Sequence, residues 1–147
     1  MKAANEIELT ASNQAVDLLQ SFHGDPRQAA LLPYLAGMFD GEGTIRIDKL
    51  KACNPGMKKK QSVSPGYAVH VSIGMVDPVI PRLFIARFKV GSLRTERVPG
   101  KRPIYRWHVR GNVSAIVVVK ELLPYLIVKK DQAVLALELT DNWERPR

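Results

Sequence analysis

Four short stretches of this 147-residue chain alternate polar and apolar side chains with a period of two, and they come in two pairs. The first is Thr44-Ile45-Arg46-Ile47-Asp48 and the second is "YAVHVSIG" from Tyr67. The third is "GSLRTERV" from Gly91 and the fourth is "IYRWHVRG" from Ile104, with the turn "PGKRP" between them. Such a strand has one apolar and one polar face, so four of them predict a sheet that must be covered on one side only. Helical segments supply the cover. Residues 10–22 predict an amphipathic helix capped by Ser12, with Ala15, Val16, Leu19 and Phe22 on one side. Asp25-Pro26 opens a run through Ala29–Leu32, where Pro33 is expected to restart the helix. Asp77-Pro78 caps a helix through Leu83, Phe84 and Phe88 that Gly91 should stop. Val113–Leu123 and roughly Val128–Leu139, parted near Pro124, close the pattern. The expected fold class is α+β, with an αββαββα order, a four-stranded antiparallel sheet and helices on its other face.

The polar face of that sheet would carry Arg46, Asp48, His70, Ser72, Arg94, Glu96, Arg106, His108 and Arg110. Arginine pairs bidentately with guanine and contacts phosphates, so such a face suits a nucleic-acid groove. A plain solvated face is the alternative. Twenty-two Lys and Arg against fourteen Asp and Glu leave a net charge of +8. That points to a polyanionic partner, nucleic acid before an acidic membrane surface, or to a merely basic soluble protein. Residues 51–66 read as a long basic loop in which Lys58, Lys59 and Lys60 would follow a flanking backbone. Cys53 is the single cysteine, which excludes an intramolecular disulfide and fits a reducing compartment. The polar N-terminus does not read as a signal peptide, and no window reads as a membrane span. A cytoplasmic, nucleoid-associated or organellar protein is expected, not a secreted one.

The stretch "LAGMFDGEG", Leu35 to Gly43, is the densest in unusual residues. Gly37 and Gly41 are four apart with Ala36 beside them, so one helical stripe has almost no side chain. Glycine costs up to ~1 kcal/mol per helical position relative to alanine, and close helix packing is the usual reason to keep two. Glu42 would end this helix, where the helix dipole disfavours a carboxylate and a cation would favour it. One or two such carboxylates with waters and phosphate oxygens hold Mg²⁺. Two copies of the helix in contact would bring two Glu42 side chains together, a pairing suited to in-line phosphodiester hydrolysis. By itself the pattern fits a surface acid beside a turn better than a metal site.

"LAGMFDGEG" resembles the signature of the LAGLIDADG homing endonucleases, with Met38 and Phe39 in the place of Leu and Ile. "YRWHV" resembles the family's last sheet strand, and "LLPYLIVKKDQAVLALEL" resembles its Pro-Tyr-Leu…Lys…Gln region. The resemblance runs from about Leu32 to Leu139. It implies that Glu42 is the catalytic, metal-binding acid and that the carbonyl of Gly41 lies near the same metal. Ala36, Gly37 and Gly41 correspond to the helix interface of a dimer, and Asp40 to a structural acid. Lys129 corresponds to a basic residue near the scissile phosphates, while Gln132 matches without an assignable role. After the second strand the family tends to place a polar residue, for which only Asp77 is available.

"LLPYL" occurs at 31–35 and again at 122–126, but the second copy lacks the Gly-acid-Gly pattern. One motif implies a homodimer, and two-fold symmetry implies a near-palindromic target. The expectation is therefore a site-specific endonuclease making a double-strand break in duplex DNA with Mg²⁺ or Mn²⁺. An RNA maturase acting on its intron RNA, or a non-cleaving DNA-binding protein on the same scaffold, is the alternative. The expected division is an N-terminal helical extension over 1–30, an endonuclease domain over 31–140 and a polar tail over 141–147.

Overall fold

The computed structural model describes residues 13–17, 20, 27–49 and 67–141. Residues 13–17 are helical, and Ala15 packs into the core, within the stretch expected to form the first helix. The basic loop with Lys58, Lys59 and Lys60, and the polar tail beyond Asp141, lie outside the described residues.

Helix α1 spans Arg27–Glu42 and runs without a loop into strand β1, Gly43–Lys49. Strand β2 is Tyr67–Met75, helix α2 is Val79–Phe88, and β3 and β4 are Ser92–Glu96 and Ile104–Arg110. Helix α3, Asn112–Leu122, leads through a 3₁₀ turn at Leu123–Tyr125 to helix α4, Lys130–Asp141. The sheet order is β1-β2-β4-β3 and every pairing is antiparallel. The register puts Ile45 opposite Val71 and Val71 opposite Val109, and Ile73 opposite Trp107. One continuous apolar face results, and the α+β architecture expected from the alternation is the one observed.

The helices cover that face through residues spaced three and four apart. Leu35, Ala36 and Phe39 come from α1, Ala115, Val118, Val119 and Leu122 from α3, and Ala133 and Ala136 from α4, all buried. Under α2 the core is aromatic. Phe84 lies 5.1 Å from Trp107 and 6.1 Å from Phe39 between ring centroids, and Phe88 lies 5.9 Å from Trp107. Full burial of each large apolar side chain is worth about 1.5–3 kcal/mol. The polar edge of Trp107 is satisfied as well, since its Nε1–H donates to the Val90 carbonyl at 2.8 Å. At the end of β4 the Asn112 carboxamide continues the ladder. Its Oδ1 accepts from the Val69 N–H at 2.8 Å and its Nδ2 donates to the Tyr67 carbonyl at 3.0 Å.

Two local expectations change. Pro33 does not restart a helix but sits inside α1. It lies on the exposed side, where the Ala29 carbonyl left without a donor can turn to water. Gly91 is not the stop of α2. The helix ends at Lys89 in the left-handed conformation, φ 55°, with its N–H on the Ile85 carbonyl at 2.9 Å. Gly91 serves the next element instead. A Cβ there would lie 2.5 Å from the His108 carbonyl oxygen, so only glycine lets the start of β3 close on β4.

The junction between α1 and β1 is equally tight. A Cβ on Gly43 would run into the buried ring of Phe39 and lie 2.5 Å from its carbonyl oxygen. Gly43→Ala should therefore destabilise the fold by about 1–3 kcal/mol, the usual cost of overpacking a filled core. Urea unfolding of the two proteins measures it.

Candidate functional site

The uncovered face of the sheet collects side chains that are scattered over sixty-odd positions of the chain. Arg46 and Asp48 of β1, His70 and Ser72 of β2, Arg94 and Glu96 of β3, and Arg106, His108 and Arg110 of β4 all point to it. Most of them line an open cavity of about 170 Å³, together with Thr44. All nine sheet residues expected from the alternation are brought together. Thr44 and Gly74 were missed, although each lies two positions from a residue already placed on the face, so the same period would have found them.

The charges on this face are partly paired. Arg46 Nη2 lies 3.0 Å from Asp48 Oδ2, and the same oxygen lies 3.3 Å from His70 Nε2. Arg106 holds Glu96 in a two-point contact, Nε to Oε1 at 2.7 Å and Nη2 to Oε2 at 3.2 Å. Exposed pairs of this kind are worth only ~0–1 kcal/mol, so what they fix is orientation. No such partner engages Arg94 or Arg110 among the described residues. Burial, reinforced by the guanidinium charges of Arg94, Arg110 and Arg106 and by His70, holds the His108 imidazole below its ordinary value of 6.5. His108 therefore adds little to the positive charge of the face at neutral pH, which the arginines carry without it. His108 Nε2 lies 3.2 Å from Ser92 Oγ.

The second cluster is built at the C-terminal end of α1. Asp40 turns back across the chain and caps α4. Its Oδ2 accepts from the amides of Ile127 at 2.7 Å and Val128 at 3.2 Å, and its Oδ1 accepts from that of Lys129 at 2.9 Å. The Lys129 carbonyl in turn accepts the first bond of α4, from the Ala133 N–H at 3.0 Å. The contact runs in both directions, because Lys129 Nζ donates to the Asp40 backbone carbonyl. Thus an acid sits at one helix's N-terminus and a cation at another's C-terminus, both favoured by the helix dipoles. Asp40 has the structural role that the resemblance implied for it.

Glu42 follows as the last residue of α1, is exposed, and directly precedes the edge strand β1. Gly37 and Gly41 are exposed too, and a Cβ at either would meet nothing within 4 Å. Nothing in their own chain, among the described residues, accounts for these two missing side chains. Ala36 differs from them. It is 0% exposed and packs into the chain's own core, so of the three residues expected at a helix interface only Gly37 and Gly41 are open to a partner. Glu42 and the Gly41 carbonyl offer hard oxygen donors of the type Mg²⁺ and Mn²⁺ take. No group of three or more His, Cys, Asp or Glu that could hold a metal occurs among the described residues. No described helix is long and apolar enough to cross a membrane.

Partial burial raises the Asp40 carboxyl, but the amides of Ile127, Lys129 and Val128 and the Lys129 charge outweigh it and hold it below its ordinary 3.8. A depressed acid stabilises the fold fully above its unfolded-state value, and the contribution is lost as pH falls through the lower folded value. Asp40→Ala should cost about 0.5–2 kcal/mol near neutral pH, as for other lost N-caps. In urea unfolding between pH 2 and pH 7, the gap between wild type and variant should close at the acid end.

No family model matches the sequence, and no curated protein does. Among solved structures the agreement is clear. The homing endonuclease I-CvuI, in complex with a DNA target, superposes with a TM-score of 0.58 at 23% identity, over 80% of this chain and 67% of that one. The group I intron-encoded homing endonuclease I-CeuI, complexed with DNA, gives 0.54 at 18% identity over 96% and 72%. The LAGLIDADG homing endonuclease I-GzeII, with its DNA target, gives 0.56 at 15% identity over 76% of this chain and 35% of that one. The fold is thus shared with these chains, and the fold of this protein is that of the LAGLIDADG homing endonucleases.

Proposed function

We propose that the protein is a homing endonuclease that cuts both strands of a long, near-palindromic DNA site as a homodimer. The observation that carries this reading is the place of Glu42. It is an exposed acid at the end of a helix whose two glycines meet nothing among the described residues of their own chain, and it directly precedes β1, whose Thr44 and Arg46 line the arginine-bearing face. Docking of two copies through Gly37 and Gly41 would bring the two acids together. The two sheets would then flank them along one duplex.

Glu42 and the Gly41 carbonyl would hold a divalent cation, whose chemistry at such a site is to acidify water and stabilise the leaving 3′ oxygen. I-CvuI complexes were obtained with Mg and with Ca, which supports a cation of this class. Lys129 lies beside the same helix end, held by the Asp40 carbonyl. From there its ammonium would offset charge on the phosphate undergoing attack. The arginines of the sheet would contact phosphates and base edges, and Lys58, Lys59 and Lys60 would follow the flanking backbone. A maturase or a non-cleaving DNA-binding protein is the reading that would stand if binding occurred without cleavage.

Incubation with DNA spanning the insertion site of the reading frame should give linear product with Mg²⁺. That product should fall to background with EDTA and with Glu42→Gln, which keeps the shape of the side chain and removes its charge. Binding without cleavage by the wild type would reject the nuclease. Sedimentation velocity should find a dimer at micromolar concentration or on DNA, and Gly37→Leu should shift it to monomer. A wild type that stays monomeric on DNA would reject the shared-interface mechanism.

A further inference from the structure

Of the four arginines on the sheet face, Arg106 alone is seated from two sides on the central strands. Its strand β4 lies between β2 and β3. On the β3 side Glu96 takes its Nε and Nη2 in the two-point contact, which holds the carboxyl below the usual carboxylate range and raises the guanidinium above its own. On the β2 side it lies across Gly74. A Cβ at Gly74 would stand 3.0 Å from Arg106 Cζ, 3.1 Å from Nη1 and 3.2 Å from Nη2, so the glycine makes the space that the guanidinium fills. Arg46 also has a carboxylate partner, but it sits on the edge strand with its side chain 61% exposed.

A guanidinium has five N–H donors. The carboxylate of Glu96 uses one on Nε and one on Nη2, which leaves both on Nη1 and the second on Nη2 without a partner among the described residues. The unused donors form the end-on fork, whose spacing matches two adjacent acceptors on one plane. Phosphate and guanine both present such acceptors, and charge separates them. The Arg106–Glu96 pair is neutral as a unit, and its carboxylate repels a phosphate oxygen brought close. A neutral base edge meets no such repulsion. In the major groove, O6 and N7 of guanine are the paired acceptors.

We infer that Glu96, Arg106 and Gly74 form a preassembled reader of one guanine in each half of the DNA site, in which Arg106 touches the base and Glu96 and Gly74 position it. The inference rests on the DNA-binding reading of this face and names the base that the face selects.

The test is site selection by the full-length chain from a randomised duplex library, with the salt dependence of binding measured on the selected sequence. The wild type should enrich a guanine at one position per half-site. Arg106→Lys keeps the charge but loses the fork, and should reduce the preference at that position by on the order of ten- to a hundredfold while the other positions keep theirs. Glu96→Gln and Gly74→Ala should relax the same position, the first by loosening the guanidinium and the second by displacing it. Replacing both partners, Arg106→Gln with Glu96→Gln, keeps the unit neutral and should leave the slope of log affinity against log salt unchanged. A fall in that slope of about one, the mark of a lost phosphate contact, would overturn the assignment. So would a selected guanine that none of the Arg106, Glu96 and Gly74 variants affects. Absence of duplex binding by the wild type would remove the DNA-binding reading itself, whereas binding with unchanged selectivity removes this inference alone.

Discussion

One carboxylate joins the parts of this fold that carry its chemistry. Asp40 belongs to the last turn of α1, yet the three amides it accepts are 87, 88 and 89 residues further along. Those amides would otherwise be open donors at the start of α4, and the Asp40 carbonyl would be an open acceptor at the end of α1. A single residue satisfies both ends, and Lys129 closes the loop between them. Because of that contact, Glu42 and Lys129 are neighbours of the same helix terminus rather than residues of separate elements. The apolar layer beneath would hold the helices against the sheet without it, but would leave their ends free to fray.

The sheet divides its labour between faces more sharply than a half-solvated sheet requires. Its covered side ends in an aromatic cluster in which Trp107 and Phe84 have no exposed surface. Its open side carries four arginines, and two of them are already engaged by carboxylates. A face built only to attract polyanions would gain nothing from Asp48 and Glu96, since each cancels a charge. Carboxylates are useful on such a face where side-chain direction matters more than net charge, which is the requirement of base recognition as opposed to phosphate attraction.

Periodicity made the strands and the two faces of the sheet legible in the sequence, because alternation is a local property that backbone geometry converts directly into direction. The same holds for the aromatic residues of β4 and for the exit of α1 at Glu42. Features resting on contacts between distant residues were not legible. Nothing near Asp40 announces that its partners lie at the start of α4, and nothing near Asn112 announces that it extends the ladder of β2. Proline and glycine misled in an instructive way. Pro33 is tolerated inside α1 because its side of the helix is open, and Gly91 is required by the approach of β4 and not by the helix before it. Ala36 looked like part of the glycine stripe by composition. Its angular position on the helix, one step round from Gly37, turns it into the core instead.

The passage from Glu42 to Gly43 contains no loop, and Phe39 fills the space behind it. Loops are where related proteins absorb insertions and let neighbouring elements drift apart. Here there is no such slack. From Glu42 the chain proceeds along β1 in steps of ~3.3 Å per residue, so Arg46 and Asp48 stand at set distances from the acid. In a nuclease this would act as a ruler: the interval between the bond that is broken and the bases that are read becomes a property of the covalent backbone. Such a protein could change which bases it prefers by exchanging side chains on the strands. It could not easily change how far from them it cuts.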